Sequence, residues 1–235
     1  MSVSIVMPCY NEEGIIEKTV RAFYDEIDSV ISDSEFIVID DCSIDNTYNI
    51  LEKLKSNLPK LKILKTPINS GHGKAMWMGY EQARKEWVFQ VDSDGQFEAR
   101  DFRNLYALKN KYDFILGFRT VRHDPTYRLL LAKIIRAANF VLFGTWIRDA
   151  NCPFRLIKKE ILDEILQAVD KETLTPNIMI SILAKKKKIN MIEVPVTHYK
   201  RKTGVVSIAN WNLIKFALKG LGQLISFRKK LANES

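Results

Sequence analysis

The sequence predicts an α/β fold with a largely parallel central sheet flanked by helices, and three observations carry that prediction. Short β-rich runs alternate with helical stretches through the first half, with strand starts spaced about 20 to 25 residues apart. The runs Phe36-Ile37-Val38-Ile39 and Phe114-Ile115-Leu116 are continuously apolar, as strands covered on both faces are. Polar clusters fall just where these strands would end, which is where ligands bind in open parallel sheets.

Strands are expected at 2–7, 35–39, 61–64, 87–91 and 113–117, each rich in β-branched or aromatic residues. Between them, 14–30, 45–58 and 73–85 carry helical periodicity, and Ser43 or Asp45 is placed to cap the second. Beyond residue 120 the pattern changes to apolar helical stretches at 127–143, 159–168 and 175–184, then a strand at 189–194. No Gly-, Pro- or Ser-rich linker divides the chain, so residues 1–209 are expected to form one continuous domain with halves 1–120 and 121–209. Residues 210–235 form a basic amphipathic C-terminal helix in this scheme, with an apolar arc running from Trp211 through Leu218 and Leu224 to Phe227.

A chain of 235 residues that is 46% hydrophobic can bury a sizeable core, which excludes disorder. Its 36 Lys and Arg against 28 Asp and Glu favour phosphate-bearing partners: nucleotides, nucleic acid or an anionic membrane. Nucleic acid is set aside because basic residues are not interleaved with aromatics in any module pattern. Cys9, Cys42 and Cys152 lack C-x-x-C spacing and are expected to be reduced, buried thiols. Met1 leads directly into the alternation of Val3, Ile5 and Met7, and no apolar run reaches the roughly 18 residues of a spanning helix. The expectation is a cytoplasmic, soluble body that can sit peripherally at the inner face of a membrane.

Four chemically dense loops share the predicted sheet edge. Pro8-Cys9-Tyr10-Asn11-Glu12-Glu13 follows the first strand, Asp40-Asp41-Cys42-Ser43 the second, Asn69-Ser70-Gly71-His72-Gly73-Lys74 the third and Asp92-Ser93-Asp94-Gly95-Gln96 the fourth. Asp92-x-Asp94 offers two hard oxygen ligands to Mg²⁺ or Mn²⁺ while leaving positions for substrate phosphates. Taken alone, the same pair is also common on solvated turns. Asp41 can accept from nucleobase N–H groups or serve a backbone, and Tyr10 and Glu12 can stack a base and bind a ribose. Lys74 at a helix start offers a cation to anions. Both the G-x-x-x-x-G-K of a P-loop and a G-x-G-x-x-G after the first strand are missing, which argues against P-loop NTPases and nicotinamide dehydrogenases.

In this order the loops resemble the family 2 glycosyltransferases of the GT-A fold, whose series reads P-x-Y-N-E, D-D-x-S-x-D, N-x-G-x-G-x-A and D-x-D-G. The resemblance implies a metal-dependent transfer of sugar from a GDP- or UDP-linked donor with inversion at the anomeric carbon. It makes 1–120 the nucleotide-sugar half and 121–209 the acceptor half. Pro8, Tyr10, Glu12, Ile39, Asp41 and Lys74 would then line the donor pocket with Asp92, Ser93 and Asp94. Metal would fall to Asp92, Asp94 and Gln96.

Gly117-Phe118-Arg119, Asp149-Ala150-Asn151-Cys152-Pro153-Phe154-Arg155 and Arg201-Lys202-Thr203-Gly204 resemble stretches of the polyprenyl-phosphate sugar synthases, the dolichol-phosphate mannosyltransferase type. The resemblance makes Arg119, Arg155 and Arg201 phosphate and acceptor ligands, a role suited to planar guanidinium groups. Two departures stand out: the family's R-x-x-G-x-S-K lacks its final Lys here, and D-x-x-S/T-G-F-R becomes D-A-N-C-P-F-R. Asp94, Asp149 and Arg119 are the catalytic candidates. Asp149 would be the general base for an alcohol acceptor, or a structural cap before Pro153, whereas a phosphate acceptor needs no base. A saccharide or cell-envelope acceptor is the alternative within the class, and a nucleotidyltransferase the alternative outside it. The C-terminal helix fits an interfacial helix on anionic lipid, a helix packed on the sheet, or a homo-oligomer contact.

Overall fold

A computed structural model describes residues 2–121, 126–201 and 211–233. Lys202 to Ser207 of the acceptor-side motif lie outside the described residues. The chain runs β1 (Val3–Cys9), α1 (Ile16–Asp28), β2 (Ser34–Asp40), α2 (Thr47–Lys55), β3 (Leu61–Lys65), α3 (His72–Gln82) and β4 (Trp87–Gln90). After a 3₁₀ turn at Ala99–Asp101 come α4 (Phe102–Tyr106), β5 (Phe114–Arg119), α5 (Thr126–Phe143) and β6 (Arg155–Lys158). The remaining elements are α6 (Lys159–Ala168), α7 (Pro176–Lys186), β7 (Met191–Val196) and α8 (Trp211–Asn233).

Seven strands form one sheet in the order β3-β2-β1-β4-β6-β5-β7, parallel except for β6, which runs antiparallel to both neighbours. The expected largely parallel α/β architecture is therefore the one observed. β1 and β2 are buried at every position, as the apolar run Phe36–Ile39 requires of β2. Side-chain parity divides the helices between two faces. Phe23 and Tyr24 of α1 pack on Phe89 and Phe36, which are in register with Ile5. On the other face α3 approaches so closely that a Cβ at Gly79 would lie 2.4 Å from Val6 and 2.7 Å from Ile39. Only glycine permits that approach.

β6 has no counterpart in the sequence reading, and its register explains the miss. Arg-Leu-Ile-Lys is four residues with cations at both ends, passing without a turn into α6. The strand is recognisable only because β4 and β5 leave a gap for it, so that a strand from the second half lies between two from the first. The last strand lies two residues later than expected, at Met191–Val196. α8 packs on α5, and its Gln223 accepts from the Leu174 N–H at 2.9 Å. Among the described residues no helix is long and apolar enough to cross a membrane. Cys9 and Cys152 are buried free thiols, but Cys42 is only half-buried, because it occupies the turn after β2 rather than the core.

Candidate active site

The loops after β1 and β2 are built as one unit. The Asn11 N–H donates to Ser43 Oγ at 3.0 Å, and Asn11 Oδ1 accepts from the Ile44 N–H at 2.9 Å. The Glu12 N–H donates to Thr47 Oγ1 at 2.8 Å, the Glu13 N–H to Asp45 at 3.1 Å, and Glu13 accepts from the Asn46 N–H at 3.0 Å. Asp45 also accepts the Thr47 N–H at 2.9 Å, so it serves the start of α2 while Ser43 serves Asn11. Asn11 and Cys42 hold left-handed backbone at φ 53 and 59, a conformation that costs energy and that these cross-braces maintain.

Three carboxylates converge where this unit meets the end of β4. Asp94 Oδ1 accepts the Gln96 N–H at 3.0 Å across a turn in which Gly95 adopts φ +69, with Ile15 only 2.7 Å from where a Cβ would sit. Arg201 donates to Glu12 at 2.5 Å and lies 3.8 Å from Asp94, and His72 Nε2 stands 3.6 Å from Asp92. Burial, then the charge of Asp92, raises the Asp94 pKa to about 6. Burial raises Glu12 to about 7, with Asp94 and Asp92 adding to it against the opposing pull of Arg201. Glu12 Oε2 and Asp92 Oδ1 are buried and have no hydrogen-bond partner among the described residues. A carboxylate cluster that is partly buried, mutually repelling and under-satisfied is short of positive charge.

A divalent cation fits that deficit. Among the described residues no three His, Cys, Asp or Glu side chains are arranged to hold a metal. Asp92 and Asp94 would therefore need oxygens from a substrate or water to complete a coordination shell, as Mg²⁺ sites commonly do.

Other predicted site residues take different positions. Ser93 is buried between the two aspartates, and Tyr10 is half-buried at the loop after β1. Pro8 is buried within β1. Ile39 is fully buried beneath Gly79, so it supports α3 instead of lining an open pocket. Asp41 accepts from Thr66 Oγ1, the Ser70 N–H and Ser70 Oγ at 2.9 Å each, and from the Gly71 N–H at 2.7 Å. These donors engage both carboxylate oxygens, with the single Thr66 hydroxyl proton divided between Asp41 and the Ile68 carbonyl at 2.8 Å, so Asp41 ties down the loop after β3 and a nucleobase would compete with them. Lys74 pairs with Glu172 at 2.7 Å on the surface. The Gln96 side chain donates to the Tyr199 carbonyl at 2.8 Å, and the Tyr199 N–H returns a bond to the Gln96 carbonyl at 2.7 Å. Gln96 thus acts as a brace for the strap that delivers Arg201 to the carboxylates.

On the acceptor side, Arg119 and Asp149 form a buried bidentate pair, Nε to Oδ2 at 2.7 Å and the second guanidinium nitrogen to Oδ1 at 2.9 Å. Arg155 is fully buried and donates to the carbonyls of Cys152 at 3.0 Å, Ala150 at 3.2 Å and Asn177 at 3.1 Å. Burial lowers its pKa. It clamps the 149–153 loop to α7 and presents no exposed surface, so its donors serve backbone carbonyls where the sequence had suggested a phosphate. Sequence reasoning did not assign His72 or Tyr199. His72 stood in plain view before Gly73-Lys74, whereas Tyr199 carried no signal beyond its nearness to Arg201.

The model of Glycosyl transferase family 2 matches residues 4–166. The chain belongs to this family. Among curated relatives, the undecaprenyl-phosphate 4-deoxy-4-formamido-L-arabinose transferases of Proteus mirabilis and Shewanella sediminis are each 28% identical, over 205 and 215 residues. The alignments cover 86% and 90% of this chain and 61% and 63% of those proteins, so the chain spans about three fifths of their length. Among solved structures, glucosyl-3-phosphoglycerate synthase from Mycobacterium tuberculosis in complex with Mn²⁺, UDP-glucose and glycerol 3-phosphate matches with a TM-score of 0.69 at 17% identity, covering 97% of this chain and 80% of that one. TarS of S. aureus in complex with UDP matches with a TM-score of 0.67 at 20% identity, covering 97% and 65%. These likenesses are of fold, and they agree with the GT-A architecture expected of the family 2 chain.

Proposed function

We propose that this family 2 chain transfers a sugar from a GDP- or UDP-linked donor to a polyprenyl phosphate, with inversion at the anomeric carbon. The observation that carries the donor side is the under-satisfied carboxylate cluster of Glu12, Asp92 and Asp94 at the sheet edge, facing Arg201. Asp92 and Asp94 would hold Mg²⁺ or Mn²⁺, which would offset charge on the donor diphosphate. The strap braced by Gln96 sets Arg201 beside the same carboxylates, where its guanidinium can turn to a phosphate oxygen.

Transfer forms a bond from the acceptor oxygen to the anomeric carbon as the bond to the nucleoside diphosphate breaks on the opposite face. A phosphate acceptor arrives as an anion and gives up no proton. That matters because both Asp149 oxygens accept from Arg119, an engagement that suits charge positioning better than proton abstraction. The pair therefore favours the phosphate acceptor over an alcohol of a saccharide, and the names of the curated relatives support the same acceptor class.

The test is incubation of the protein with Mg²⁺ or Mn²⁺, a panel of GDP- and UDP-sugars and a short polyprenyl phosphate. Nucleoside diphosphate and a glycolipid are expected together, and a chelator should abolish both. Donor hydrolysis without glycolipid would overturn the acceptor, and chelator-insensitive turnover would overturn the metal.

A further inference from the structure

The positive charge of this chain is unevenly shared among its elements. Helices α5, α7 and α8 together carry ten Lys and Arg and no Asp or Glu. With Lys187 and Lys188 they hold twelve of the chain's 36 cations, leaving 24 against all 28 acids, so the rest of the molecule is net acidic. α5 packs against both α7 and α8. Two basic runs that are far apart in sequence, 185–188 and 228–230, are thereby brought to one place.

They meet around a cavity of about 750 Å³ formed by the C-terminal ends of these helices. Val141, Phe143 and Leu183 supply apolar lining, and Lys186, Lys187 and Arg228 stand among the residues around it. Lys186 and Arg228 are exposed, and Lys187 shares its charge with Glu164 at 2.8 Å. Val141 of the cavity lining is 74% exposed, and Phe140, which precedes it on α5 and meets the Trp146 ring at 6.1 Å, is 52% exposed. The site is distinct from the carboxylate cluster. The start of α7 packs against Gly73, and the lysines lie at its other end, an eleven-residue helix or about 16 Å away.

We propose that this surface docks on an anionic bilayer, with the phospholipid headgroups held by Lys186, Lys187 and Arg228 and the exposed Val141 and Phe140 entering the acyl boundary. Apolar side chains ringed by cations match the two layers of such a surface. A second copy of the chain does not fit, because a two-fold contact would set the same basic cluster against itself. The proposal is independent of the acceptor assignment, since it requires neither donor nor polyprenyl phosphate.

The test is co-sedimentation of the protein with vesicles of phosphatidylcholine alone and of phosphatidylcholine with phosphatidylglycerol. Binding is expected on the anionic vesicles, decreasing with added salt. Lys186→Gln and Arg228→Gln should each weaken it about fivefold. Val141→Ser should weaken it without loss of charge, and all three variants should keep the parent melting temperature, since they change exposed side chains. Lys53→Gln/Lys55→Gln on α2 removes two exposed cations elsewhere and should leave binding largely unchanged. Equal binding to both vesicle types, or binding insensitive to the three variants, would overturn the proposal. So would variants that change the oligomeric state by light scattering and leave vesicle binding intact.

Discussion

Asp94→Asn should make the metal-free protein more stable. The Asp94 carboxyl sits at about 6 against an ordinary 3.8. At pH 8 the ionised group therefore burdens the fold by about 2 to 3 kcal/mol, at roughly 1.4 kcal/mol per pKa unit. The sign follows from the raised value. The native state holds the proton more tightly than the unfolded chain, so the contribution is fully present below the unfolded pKa and is lost as pH rises through about 6. Glu12, raised to about 7, acts in the same direction over a slightly higher window.

An amide at position 94 removes most of that burden at pH 8 and little at pH 4, where the wild-type carboxyl is already protonated. For a chain of this size about 1 kcal/mol corresponds to roughly 2 to 4 °C, so the variant should melt about 3 to 10 °C higher at pH 8 in chelator. Adding Mn²⁺ should raise the wild-type melting temperature, more at pH 8 than at pH 5, and the variant should lose most of that response. Thermal melts across pH, with and without metal, read this out without any substrate. A variant that melts lower at pH 8, or that keeps the full metal shift, would refute the account of the site as a cluster in need of a cation.

Three other substitutions probe the rest of the site. Arg119→Ala should cost about 3 to 5 kcal/mol by removing the guanidinium from which both oxygens of the buried Asp149 accept. A double-mutant cycle of Arg119→Met and Asp149→Leu in denaturant should show strong coupling, and additive losses would count against the pair. Arg155→Lys should destabilise by about 3 kcal/mol, because one ammonium cannot reach the three carbonyls that the guanidinium serves. An unchanged melting temperature with weakened acceptor binding would restore Arg155 as a phosphate ligand. Gly95→Ala should cost about 1 to 3 kcal/mol through the positive φ and the approach to Ile15, and should blunt the metal-induced shift by displacing Asp94; an unaltered melt would argue that the turn can rearrange.

The parts of the fold that were legible share one property: each is specified by its own residues. Phe36-Ile37-Val38-Ile39 of β2 is apolar without interruption, so its burial on both faces could be read directly. β6 could not, because a four-residue strand flanked by cations is defined by the gap it fills and not by any periodicity. The cross-bracing of the first two loops was equally invisible. Asn11, Ser43, Glu13 and Asn46 are ordinary turn residues until parallel pairing of β1 with β2 sets the loops side by side.

The three acceptor-side arginines show the same limit in the site. In sequence Arg119, Arg155 and Arg201 are equivalent: each ends or begins a family-like stretch, and each could bind phosphate. Burial and partners separate them. Arg155 spends its donors on backbone carbonyls, Arg119 is committed to Asp149, and Arg201 alone stands at the carboxylate cluster, delivered by a strap whose hydrogen bonds run to Gln96. A guanidinium facing Asp94 at 3.8 Å and Glu12 at 2.5 Å holds charge in the region where a donor diphosphate and its cation would sit. Binding of those proposed ligands would draw on the same arginine. The carboxylates Asp92 and Asp94 could be singled out by their own spacing, whereas nothing in the sequence says which of three identical arginines the fold sets beside them.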